Sequence, residues 1–246
     1  MAASSRDRIV RGARTLRRST KVVCQGSVGV EPAGWQIGSV DYRRTYESAA
    51  NSFCDLVSRL PAERWSGAGL GDWSLRDLLG HTVSSALRQV PGVLNSRATT
   101  LNVASPEGYW AYARAAPTQM YADAVAASSR DARATGQFLG HDGLDLVRGL
   151  AQRATQALAA VGDDDVVATA VGGMRVRDWM QTRTFELVVH GMDAAEAANV
   201  PIEFAAEPVS EALILAASIA TAVGDGPVVL RALTGRAVLP NGFSVV

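Results

Sequence analysis

Histidine is scarce in this chain, which makes its placement informative: His81, His141 and His190 are the only three in 246 residues. His190 follows Glu186 by four residues in Thr184-Phe185-Glu186-Leu187-Val188-Val189-His190. On an α-helix that spacing turns about 400°, so both side chains leave one face a turn apart, and an imidazole and a carboxylate can reach one ion. His81, on the border of another apolar stripe, is placed to supply a third ligand from a facing helix. Two imidazoles and a carboxylate with an open position are the donor set of a catalytic zinc site; a structural zinc is closed by four protein ligands. Spacing alone leaves plainer alternatives open. Glu186 with His190 is equally an i, i+4 hydrogen-bonded pair, and His81 a core histidine with its hydrogen bonds met. His141, beside the expected helix cap Asp142, reads as an ordinary polar loop residue.

Other chemistries lack their residues. The chain holds no GxSxG elbow, no GxxxxGK[ST] phosphate loop, no GxGxxG after a strand and no HExxH, and it lacks the paired Glu-x-x-His segments of ferritin-like di-iron bundles. Its two cysteines, Cys24 and Cys54, form no CxxC, and no signal-peptide pattern precedes them, so a reducing cytoplasmic location is expected. Cys54 falls on an apolar helix face and is expected to serve packing, not nucleophilic attack.

The elements that must position these residues show a helical period. Tyr46, Ala49, Ala50, Phe53, Cys54, Val57 and Leu60 lie along one face of a helix beginning near Tyr42, and Pro61 follows it. A second helix starts at Ser74, with Asp77 three residues on in capping-box spacing, carries Leu75, Leu78, Leu79, Thr82 and Ala86 as its stripe, and is expected to end at Pro91-Gly92. A short helical turn around Tyr109 to Tyr112, a third long helix over 118–139 and a fourth capped by Asp142 follow. A Val-rich extended segment lies between Gly162 and the Gly172-Gly173 pair. Helices over about 176–198 and 208–223 complete the reading, and the end of the chain is expected to be irregular or a short strand. Long helices joined by short loops predict a mainly α bundle, because each apolar stripe must be covered by another.

Composition narrows the class. With 48% hydrophobic and 20% charged residues the chain is globular, and no uncharged apolar run approaches the roughly 18 residues that span a bilayer. The 24 basic residues balance 24 acidic ones, so the whole molecule has no electrostatic preference for nucleic acid or an anionic membrane, and neither is expected as a partner. Charge is uneven, however: residues 1–38 are net +5 and the remainder net −5. This Arg-rich start imitates a transit peptide and offers a basic arm, but its composition favours a disordered tail or a misplaced start codon. The expected organisation is therefore a basic tail over 1–38, a metal-binding bundle over 39–200 and a short C-terminal segment over 201–246.

Two segments carry a family resemblance. Trp73-Ser74-Leu75-Arg76-Asp77-Leu78-Leu79-Gly80-His81 resembles the W-[ST]-x-x-D-x-x-x-H segment, and Arg183-Thr184-Phe185-Glu186-Leu187-Val188-Val189-His190-Gly191-Met192-Asp193 the R-x-x-E-x-x-x-H-x-x-D segment, of the mycothiol-dependent maleylpyruvate isomerase family. The resemblance covers about Tyr42 to Ala198 and implies a DinB-like four-helix bundle with a short C-terminal extension. It implies His81, Glu186 and His190 as ligands of a divalent metal, zinc above all. Asp193 would orient the His190 imidazole or contact substrate, and Arg183 would steady Glu186 or bind a substrate carboxylate. Leu230 to Arg236 looks like the Gly-Arg stretch of the family's C-terminal part, which would bring Arg236 to an anionic thiol or acid. The departures are a start without counterpart and only about 48 residues after Ala198 where the family's named enzyme has a larger domain.

The function this implies is a metal-dependent thiol S-transferase or isomerase, with mycothiol as thiol cosubstrate and a small electrophile as partner. For isomerisation a thiolate adds to a conjugated double bond, rotation follows, and elimination restores the bond. The rival expectation is a non-catalytic metal-binding bundle that serves as an interaction protein. A nucleic-acid-binding module rests on the basic arm alone. Because both imidazoles must be neutral to ligate, metal affinity is expected to fall as pH drops through roughly 6.

Overall fold

The computed structural model describes residues 41–140 and 143–246. The basic start with Cys24, and His141 and Asp142 with the helix cap expected there, lie outside the described residues.

Helix α1 (Tyr42–Arg59) begins at Asp41, whose carboxylate accepts from the Arg43 and Arg44 amides, and ends against Leu60-Pro61. Its buried face is the expected one, from Tyr46 through Phe53 to Val57, with Cys54 free, 6% exposed and its thiol pushed up to about 11 by burial. Helix α2 (Leu75–Val83) opens on a complete capping box: Ser74 Oγ accepts from the Asp77 amide, and the Asp77 carboxylate accepts from Ser74 N–H.

Pro91-Gly92 does not end this helix, contrary to expectation. The chain passes from α2 through a π-helical turn, Ser84–Arg88, into α3 (Val90–Leu94). Pro91 sits in the first turn of α3, where the N–H it lacks would be unpaired in any case, so the proline is tolerated.

After α3 come α4 (Gly108–Ala115), α5 (Thr118–Leu139) and α6 (Gly143–Ala159). The Val-rich segment is an antiparallel hairpin, β1 (Val166–Thr169) with β2 (Gly172–Arg175), and Val167 faces Met174 across it. Gly172 holds φ at +106°, a conformation that L side chains rarely adopt, and so turns the hairpin. Helix α7 (Val176–Ala198) follows directly and ends at Asn199 in the left-handed conformation. Helices α8 (Ala206–Ala222) and α9 (Gly226–Leu233) follow, and the residues after α9 form no strand.

The bundle closes as a ring: α7 packs on α1, α1 on α6, α6 on the π turn and α3, and the α2–π turn arm on α7. It is a mainly α, DinB-like four-helix bundle. Helix α5 crosses α2 very closely, because Gly80 and Gly136 meet at the crossing. A Cβ on Gly80 would overlap the Ala132 carbonyl and the Gly136 backbone, and one on Gly136 would overlap the Arg76 carbonyl. Helix α8 covers α7 from outside. Helix α7 is accordingly buried around most of its girth, from Val176, Trp179 and Met180 to Phe185, Leu187, Val188 and Ala194. A helix buried this way shows no apolar stripe and holds its polar side chains in place by packing.

Candidate metal centre

Helix α7 presents Glu186 and His190 one turn apart, and α2 brings His81 to them. The Glu186 Oε2 atom lies 3.3 Å from His81 Nε2 and 3.4 Å from His190 Nε2. The two imidazoles meet edge to face with ring centroids 5.0 Å apart, and Trp73 stands against His81 at 4.9 Å. Among the described residues, His81, Glu186 and His190 form a group whose ligand atoms all lie within 4.8 Å of one another. Their side chains are 18%, 13% and 18% exposed, so the cluster is recessed yet reachable from solvent.

Each imidazole is also held at its other nitrogen. His190 Nδ1 lies 3.0 Å from Asp193 Oδ2, and His81 Nδ1 lies 3.3 Å from Ser128 Oγ on α5. A carboxylate at Nδ1 takes that N–H and fixes the ring orientation, so that Nε2 faces Glu186 Oε2. Burial alone would raise the Glu186 pKa. Hydrogen bonds from His190 and His81 and the nearby Arg183 charge outweigh it and hold the carboxyl well below its usual range. Burial would lower the His190 pKa, but Asp193 and Glu186 on either side push it up to about 9.

Arg183 is close in sequence but does not hydrogen-bond to Glu186. It is 2% exposed, its Nη1 donates to the Ser85 carbonyl at 2.8 Å and its Nε to Thr182 Oγ1 at 3.0 Å. Its Cζ lies 5.2 Å from the Tyr109 ring centroid and 5.3 Å from that of Trp179. Arg236 is exposed after α9, and its Nη1 donates to Thr234 O at 2.6 Å within its own turn.

The family model for the mycothiol maleylpyruvate isomerase N-terminal domain matches residues 46–195, more than half of the chain. The chain belongs to that family. The match to the maleylpyruvate isomerase N-terminal domain contains His81, Arg183, Glu186, His190 and Asp193, whereas Arg236 lies beyond it. Among curated proteins and solved structures, none matches the chain.

Within this isomerase-family domain, two site neighbours escape a reading of the sequence. Ser128 comes from α5 and has no spacing relation to either motif. Ser85 carried a signal, since it follows His81 by four residues and therefore shares its helix face; its Oγ lies 3.3 Å from Glu186 Oε2.

Proposed function

We propose that the chain is a zinc-dependent enzyme that uses a low-molecular-weight thiol, mycothiol, for transfer to or isomerisation of a small electrophilic substrate. The observation that carries this reading is the convergence of His81, Glu186 and His190 in a recessed, solvent-reachable cluster of a mycothiol maleylpyruvate isomerase family chain. The donors suit a divalent ion: two Nε2 atoms and a carboxylate face one another, and the opposite nitrogens are already engaged by Asp193 and Ser128. A zinc ion held there would favour the thiolate of a bound thiol over the thiol near neutral pH.

The chain's own groups do the remaining work. His81, Glu186 and His190 hold the ion, and Asp193 keeps His190 in the ligating tautomer. Trp73 walls the His81 side of the recess. Arg183, buried between two aromatic rings, braces the α2–α7 contact through the Ser85 carbonyl, and its Nη2, buried without a hydrogen-bond partner, is a donor open to a substrate carboxylate. Cys54, buried with a raised pKa, leaves sulfur chemistry to a thiol supplied from outside. The cytoplasmic location expected from the sequence goes with this reading.

The test is metal content followed by a thiol panel. The purified chain should hold about one divalent ion. His81→Ala, Glu186→Ala and His190→Ala should each lose most of it, and His141→Ala should keep it. Conjugation to a conjugated acid or halogenated aromatic should depend on the metal, should survive Cys54→Ala, and should run faster with mycothiol than with glutathione, cysteine or no thiol. Equal rates in all four would leave the non-catalytic metal protein as the reading, and full metal in Glu186→Ala would move the site elsewhere.

A further inference from the structure

The π turn lies beside the metal cluster. In an α-helix the Gln89 amide would donate to Ser85 O; here it donates to Ser84 O at 3.2 Å. The Ser85 carbonyl instead accepts from the Gln89 side-chain amide and from Arg183 Nη1, the latter at 2.8 Å. A π turn is costly without compensation and recurs at functional sites. The compensation here is a guanidinium with 2% exposure, aromatic rings over it and Thr182 on its Nε, so it has little room to move.

On the same residue, Ser85 Oγ lies 3.3 Å from Glu186 Oε2, the oxygen that faces both imidazoles. The terminal torsion of a glutamate is broad and roughly two-fold, so an undirected carboxylate offers either oxygen and a range of tilts. The Ser85 hydroxyl faces one of them, Oε2, with the Thr82 carbonyl at 3.5 Å as its other acceptor.

We propose that Ser85 and Arg183 are a positioning pair for Glu186: Arg183 pins the π turn through the Ser85 carbonyl, and the Ser85 hydroxyl orients the metal-facing carboxylate. The inference rests on the metal reading above. It makes the irregular turn, which no helix-period argument anticipates, part of the site. It also explains why Arg183, three residues before Glu186, acts on that carboxylate across the α2–α7 contact and not along its own helix.

Cobalt(II) and zinc titrations of the full chain test it, with the cobalt visible spectrum as the reporter of coordination. Loss of a group that orients a ligand weakens metal binding by about 10-fold or more. Ser85→Ala is expected to show that loss with a shifted cobalt spectrum, while the melting temperature of the metal-stripped chain stays near that of the wild type. Ser85→Thr, which keeps the hydroxyl, should restore both affinity and spectrum. Arg183→Lys, which loses the planar fork, should change the spectrum in the same sense as Ser85→Ala. Ser85→Ala with wild-type affinity and spectrum overturns the proposal while leaving the metal reading intact. A wild-type chain that takes up neither ion overturns both.

Discussion

His190 sits between two carboxylates, and this sets the pH behaviour of the site. In the metal-free arrangement Glu186 and Asp193 push its pKa up to about 9, against an ordinary value of 6.5. A metal ion must displace that proton, so affinity should rise with pH up to about 9, and binding at pH 7.5 should release about one proton per ion. This moves the sequence-based expectation of roughly 6 upward by the influence of two acids. Stability of the metal-free chain runs the other way. A raised folded-state pKa contributes stability that is fully present below 6.5 and is lost as pH rises through about 9. Calorimetric titration in buffers of different ionisation enthalpy counts the proton, and a count of zero at pH 7.5 would contradict the assignment. The pairing of Glu186 with His190 was legible in the sequence because i, i+4 spacing survives folding of a helix, whereas His81, on another helix, was singled out by its scarcity and its place in the first motif. Their partners were less so: Ser128 reaches His81 only through packing of α5 on α2.

At the scale of elements, the site depends on how closely α5 approaches α2. Gly80 precedes His81 directly and lies where the two backbones meet, so Gly80→Ala has no space for its methyl group against the Ala132 carbonyl and Gly136. Overpacking of this kind costs about 1–3 kcal/mol. The variant should therefore melt lower, and metal affinity should fall with it because α2 carries His81 outward. Denaturant melts with and without metal check both effects, and an unchanged midpoint would mean that the crossing relaxes freely. Most helices were legible from their periodicity and caps, down to the capping box of Ser74 with Asp77. The helix end placed at Pro91-Gly92 was not correct. Proline breaks a helix interior but is compatible with a first turn, and only the intervening π turn makes Pro91 part of a first turn.

For the whole molecule, the described core begins at Tyr42 and runs through α8, with Tyr46, Phe53, Leu79, Trp179 and Ile219 all at most 1% exposed. A chain beginning at Ser39 should keep its metal content and melting temperature if the expected division into tail and bundle holds. A large fall in melting temperature would show that residues before Ser39 belong to the fold. No helix of the described residues is long and apolar enough to cross a membrane. The fold class was legible because apolar stripes on long helices joined by short loops leave few arrangements other than a bundle. The crowding of α7 was not, since a helix covered around most of its girth loses the periodic pattern that advertises a helix and its partners.

The ligands are divided unequally, and this has a further consequence. Glu186 and His190 share one turn of α7, so their spacing is set as soon as that helix forms, whereas His81 arrives only when α2 docks. An ion that engages all three therefore recognises the assembled bundle and not the separate helices, and its chemical potential becomes a term in the folding equilibrium. At a free concentration one hundred times its Kd, that term is about 2.7 kcal/mol. The amount of properly folded protein in a cell would then follow the supply of the ion as well as the sequence of the chain.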